Sequence, residues 1–156
     1  MSRTFRDRLF DGETTVGTFQ IMDTPMAAEI PGLAGLDFVI IDQEHGPLTA
    51  DESLAYCTAA EAGGCAPIVR VRRNTEPEIQ RALDIGAAGV QIPQIESRAD
   101  AEAAANAARF DPIGSRGLSL YVRAGGYKGG DDYTERQNEE VTVIIHIEGE
   151  AGVRNL

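Results

Sequence analysis

Tryptophan is absent from the 156 residues, cysteine occurs only twice, and lysine only once. Cys57 and Cys65 stand in no CxxC pair and beside no histidine cluster, so neither a disulfide framework nor a zinc knuckle organises the chain. Both thiols read as small buried residues. The single lysine, Lys128, lies in the glycine-rich stretch GGYKGG. Schiff-base chemistry needs a desolvated lysine and is left with almost no candidate. Positive charge is also scarce: 14 Lys+Arg against 25 Asp+Glu give a net charge of −11. That balance disfavours unaided binding to nucleic-acid phosphates or anionic lipid. No apolar run approaches the roughly 20 residues of a membrane span. The N-terminal MSRTFRDRLF carries charges where a signal peptide needs an unbroken apolar stretch. A soluble, cytoplasmic protein is expected.

What the chain does have is repetition. Short, nearly continuous apolar runs recur as VGTFQI, DFVIID, PIVRV, AGVQIP and VTVIIHIE. Strands covered on both faces read this way, and parallel sheets are built from them. Between the runs lie helical stretches with capping-box start signals at Thr49/Glu52, Thr75/Glu78 and Ser97/Asp100. A further helix is expected over residues 24–36, with Pro31 kinking it. The alternation predicts an α/β fold, either a doubly wound sheet or a (β/α) barrel. No GxGxxG or GxxxxGK[ST] follows the first strand, which removes the best support for a nucleotide-binding sheet.

Gln20, Asp42, Arg70, Gln91 and Glu148 all fall at or near the C-terminal ends of predicted strands, where barrel active sites are built. The barrel is therefore favoured. A complete one takes about 250 residues, so a single partial barrel over residues 1–156 is expected, with five of eight strands and an end soon after the fifth. About thirty residues rich in Gly, Arg and Tyr precede that strand, a length typical of functional loops, and this segment could cover a substrate.

Within this frame His45, in IDQEHGPLT, is suited to proton transfer, although the same position also fits an ordinary surface histidine. Arg70 offers a fixed guanidinium for a carboxylate or a developing oxyanion. His146 and Glu148 alternate on one face of the fifth strand, where a buried carboxylate needs a partner or a metal. A buried ion pair of Glu148 with Arg70 is the plainer alternative. Asp84, in RALDIGAAG, reads on its own as a polar residue near a helix end.

Together, IDQEHGPLT, PIVRV, LDIGAAGVQIPQIES, ARFDPIGSRG and VTVIIHIEGEAGVRNL resemble, in order and spacing, the HpcH/HpaI aldolase/citrate lyase family. GTFQIMDTPMAAEI resembles that family's first strand and helix, so the likeness covers essentially the whole chain. The resemblance implies a (β/α)8 TIM-barrel fold and a divalent-metal-dependent pyruvate aldolase. Such an enzyme cleaves a 4-hydroxy-2-oxo acid to pyruvate and an aldehyde, with Mg²⁺, Mn²⁺ or Co²⁺ as cofactor. It also implies homo-oligomers. Carried over by the resemblance, His45 is the general base and Asp84 the carboxylate that orients it. Arg70 stabilises the enolate, Glu148 binds the metal, and Phe19 lies beside the substrate. Arg116-Gly117 matches a recurrent pair.

Two departures stand out. His146 occupies the place of a family glutamine and is expected to touch substrate or to join the metal ligands. The family's second acidic ligand belongs after a sixth strand, so this chain alone is expected to be weakly active or inactive. A citryl- or malyl-type lyase and a non-catalytic oligomerisation or binding fragment are the competing expectations.

Overall fold

The computed structural model describes residues 3–156. Five parallel strands form one sheet: β1 (Gly17–Gln20), β2 (Phe38–Asp42), β3 (Ala66–Arg70), β4 (Gly89–Ile92) and β5 (Thr142–Ile145). Their spatial order is β1-β2-β3-β4-β5. A doubly wound sheet reverses its strand order at a switch point, and here there is no reversal. Each strand is laid beside the one before it, as in a (β/α) barrel, and the expected fold class is borne out.

The connecting helices are α2 (Met26–Leu33), α3 (Ala50–Gly63), α4 (Glu76–Asp84) and α5 (Arg98–Ala107), preceded by α1 (Phe5–Phe10) and followed by α6 (Tyr133–Glu140) and α7 (Glu150–Arg154). Thr49 and Glu52 form the full capping box expected, and Ser97 accepts the Asp100 amide. Thr75 starts α4 without a side-chain cap bond, its place in the first turn taken by Pro77, which needs no amide partner there. Helix α1 was not expected, although Thr4 and Asp7 form a capping box of their own. Pro31 sits inside α2.

Strand residues alternate between two packed layers. Val39, Ile41, Val69, Val90 and Ile92 face the helices and meet Tyr56, Cys57, Ile79 and Leu83 in the main core. Phe38, Ile40, Ala66, Ile68 and Ile144 face the other way, around Phe5. On that second face Phe19, Ile40, Ile68 and Gly89 share one register level, which ends on the buried Thr142 of β5. One step on, Asp42, Arg70 and Gln91 are aligned as partners. The inner face thus turns from largely apolar to polar at the C-terminal ends. Cys57 and Cys65 are buried and unpaired, as expected.

The segment between α5 and β5 departs from expectation in two ways. It contains a short 3-10 turn (Arg123–Gly125) and helix α6 rather than irregular chain alone. It also packs at the N-terminal ends of the strands: Arg123 bonds Glu61 and the Ile85 carbonyl, and Arg109 bonds the Val141 carbonyl. A cleft of about 410 Å³ there is lined by Phe5, Ala66, Ala88, Arg123 and Gln137. Within the chain this segment does not reach the C-terminal end where a substrate cover is required.

Helices α2 and α3 meet through glycines. A Cβ on Gly63 would stand 2.3 Å from the Glu29 carbonyl oxygen, and one on Gly32 2.6 Å from the Gly63 carbonyl. Gly63→Ala is expected to force the helices apart and destabilise the fold by about 1–3 kcal/mol. Urea unfolding would show this as a lower midpoint at unchanged slope; an unchanged midpoint would contradict the close approach.

Candidate active site

The polar cluster is built on the last residues of β2 and β3. Asp42 and Arg70 are direct register partners with side chains on the same face. The Arg70 guanidinium donates from Nε to Asp42 Oδ1 at 2.9 Å and from Nη2 to Oδ2 at 2.6 Å. This fork-to-carboxylate geometry fixes the plane of the guanidinium. Its Nη1 lies 3.2 Å from Glu44 Oε2. Phe19 of β1 supports the guanidinium, whose carbon lies 4.9 Å from the ring centroid, a cation–π arrangement. Burial pushes the Asp42 carboxyl up, but hydrogen bonds from Arg70 and from the His45 and Glu44 amides outweigh it and hold the group below the ordinary carboxylate range. In return, Asp42 raises Arg70 above its already high value.

Just past β2 the chain turns sharply, and His45 is presented with its side chain 74% exposed. Its Nε2 stands 3.9 Å from Glu44 Oε2, while the Glu44 side chain itself is only 9% exposed. An open imidazole beside a sheltered carboxylate can exchange protons with a ligand lying on this rim.

The other arm comes from β4 and β5. Gln94 adopts a left-handed φ of 56°, a conformation that costs on the order of 1 kcal/mol or more in a non-glycine residue and recurs at functional sites. Its amide donates to Glu148 Oε1 at 2.9 Å and its side-chain nitrogen to Glu44 Oε1 at 3.4 Å. His146 Nδ1 lies 3.7 Å from Glu148 Oε2. His146 and Glu148 were expected within the fifth strand, but β5 ends at Ile145; the ladder continues only through the His146 amide to the Ile92 carbonyl and the Ile95 amide to the His146 carbonyl. Both side chains are about one-third exposed rather than buried. Glu148 acts on Arg70 through its charge but makes no ion pair with it.

Glu148 and His146 supply two donors, and the His146 Nδ1 is buried without a hydrogen-bond partner. A hard divalent cation prefers about six oxygen ligands. Among the described residues no group of three His, Cys, Asp or Glu side chains is placed to hold an ion. These two residues alone therefore do not make a cation site.

Asp84 is not brought to His45. It ends α4 and so lies toward the N-terminal side of the sheet, whereas His45 follows the C-terminal end of β2. Its carboxylate accepts from Arg116 Nη2 at 2.7 Å, with the Arg116 side chain fully buried and packed over Phe110. Asp42 was expected at the rim but not as the clamp on Arg70, and the connecting roles of Glu44 and Gln94 were not foreseen. Matching strand-end positions of Asp42 and Arg70 was the available signal; nothing in the sequence marks Gln94.

The depressed Asp42 carboxyl makes stability depend on pH. Its contribution is fully present above the ordinary carboxylate range and is lost as pH falls through the lower folded-state value. Asp42→Asn is expected to be less stable than the parent by about 3 kcal/mol at pH 7. Urea midpoints should show the gap narrowing below pH 4, and a gap independent of pH would contradict the assignment.

Comparisons with known proteins agree with the sheet topology. The family model described as HpcH/HpaI aldolase/citrate lyase matches residues 15–156. A 5-keto-4-deoxy-D-glucarate aldolase of Escherichia coli is 33% identical over 152 residues, covering 97% of this chain and 59% of the relative. The chain thus spans about three fifths of the length of the curated relatives it matches. An HpcH/HpaI aldolase/citrate lyase family protein from Burkholderia cenocepacia superposes with a TM-score of 0.89 at 32% identity, over 96% of this chain and 61% of that one. The citrate synthase SbnG superposes with a TM-score of 0.84 at 32% identity, over 97% and 58%. With its sequential parallel sheet and a family match running through β1 to α7, the chain belongs to the HpcH/HpaI aldolase/citrate lyase family.

Proposed function

We propose that this chain carries part of the active site of a carbon–carbon lyase that cleaves a 4-hydroxy-2-oxo acid, of the 4-hydroxy-2-oxoheptanedioate type, to pyruvate and an aldehyde. Its main support is the Arg70 guanidinium, clamped by Asp42 beside the exposed imidazole of His45 at the C-terminal rim. Cleavage requires a base to take the proton from the C4 hydroxyl while the C3–C4 bond breaks. The electron pair of that bond forms the C2–C3 double bond and leaves negative charge on the C2 oxygen. His45 is the base. Arg70, already oriented, stabilises the charge without reorganising. Return of a proton to C3 gives pyruvate, and Phe19 and His146 border the substrate.

The family resemblance brings a divalent cation, Mg²⁺, Mn²⁺ or Co²⁺, with Glu148 as the ligand this chain contributes; when bound, it supplies positive charge against the enolate oxygen. The orienting role of Asp84 toward His45 is met across a contact between two copies, because one chain places the two residues at opposite ends of the sheet. A homo-oligomer is therefore part of the proposal. The likeness to a citrate synthase supports a second reading, citryl- or malyl-type bond chemistry on the same enolate.

The test is pyruvate release from 4-hydroxy-2-oxoheptanedioate by this chain and by a version extended through a sixth strand, with Mn²⁺ and after EDTA. Metal-dependent release, stronger in the extended form and reduced by about 10²–10⁴ in His45→Ala, is expected. An equal mixture of His45→Ala and Asp84→Asn should regain part of the rate. Release that resists EDTA, or that survives loss of His45, would overturn the reading.

A further inference from the structure

We propose that Asp42 is the positioning residue of this site, one buried carboxylate that holds both the Arg70 guanidinium and the turn carrying His45. The inference rests on the roles proposed above for Arg70 and His45 and assigns the element that keeps them in one geometry. Oδ1 of Asp42 accepts three hydrogen bonds, from the Glu44 amide at 2.9 Å, the His45 amide at 3.2 Å and Arg70 Nε at 2.9 Å. Oδ2 accepts Arg70 Nη2 at 2.6 Å. One rigid group of atoms thereby ties the end of β3 to the turn after β2.

Asp42 is 1% exposed, so it has no surface to offer a substrate and acts only through the residues it holds. Gly46 closes the turn onto the same residue: a Cβ there would lie 2.1 Å from the Asp42 carbonyl oxygen. Of the five guanidinium N–H groups, two are taken by Asp42 and one faces Glu44. Two remain for a ligand, and their direction is set by the Asp42 clamp. A displacement of about 1 Å at such a group costs on the order of 10²-fold in rate.

Asn and Ala substitutions separate the two jobs. Asp42→Asn keeps an oxygen for the turn amides but sets a donor against Arg70 Nη2 and removes the charge. Asp42→Ala removes both supports. Asp37→Asn is the control: Asp37 lies just before β2, where its carboxylate accepts the Val16 amide and pairs with Arg8.

In ¹⁵N-labelled chain, amide and guanidinium proton exchange is read residue by residue. Asp42→Asn should release the Arg70 Nε proton to exchange at least tenfold faster while the Glu44 and His45 amides stay protected. Asp42→Ala should release all three, and Asp37→Asn none. In the pyruvate-release assay, Asp42→Asn should lower kcat by about 100-fold with little change in KM, and should add nothing to Arg70→Ala. An Arg70 Nε proton still protected in Asp42→Asn, or losses that multiply in the double variant, would overturn the proposal. Absence of turnover in the parent and extended proteins would count against the lyase reading instead, and the exchange measurement would still decide the role of Asp42.

Discussion

The site depends on a buried ion pair between neighbouring strands. Taking Asp42 and Arg70 out of water is costly unless each meets the other with good geometry, and they do so because β2 and β3 align their last residues. A slip of one residue would turn one of the two charges toward the helix-side core of Val39, Ile41 and Val69. The same pairing that makes the sheet therefore makes the site. The row of Ile40 and Ile68 fills the inner face below, and the polar row of Asp42, Arg70 and Gln91 closes it above.

From this pair the network spreads outward by short steps. Arg70 leans on Phe19 and reaches Glu44; Glu44 is bridged by Gln94 to Glu148; and Glu148 stands beside His146. All five strands thus contribute at, near or just beyond their C-terminal ends. The opposite end of the sheet serves another purpose. There Arg116 pairs with Asp84, Arg123 ties Glu61 to the end of α4, and the long segment before β5 is folded down. The polar network and the scaffolding contacts occupy opposite ends of the same strands, the division usual in (β/α) barrels.

Much of this was legible in the sequence, and the exceptions have physical causes. Runs such as DFVIID and AGVQIP announce doubly covered parallel strands, and their terminal polar residues mark the rim. Arg70 and His45 could be picked out that way, whereas Phe19 came only from family likeness. The Asp42 clamp shows in the sequence only as matching strand-end positions of Asp42 and Arg70, because the pairing itself depends on register between strands far apart in sequence. The left-handed Gln94 has no compositional sign. Helix α6, YTERQNEE, is almost wholly polar and buries only Tyr133, so it shows no apolar periodicity. Asp84 is a partner for His45 only by family likeness, and within one chain the two do not meet, because the alternation of strand and helix sends the end of α4 to the far side of the sheet.

The most direct measurement is a pyruvate titration of the ¹⁵N-labelled chain, following the arginine Nε–H resonances. The account predicts a saturable shift of Arg70, accompanied by His45, with Arg116 and Arg123 unmoved. Shifts centred on Arg116 or Arg123, or none at Arg70, would place anion recognition away from the Asp42–Arg70 pair and contradict it.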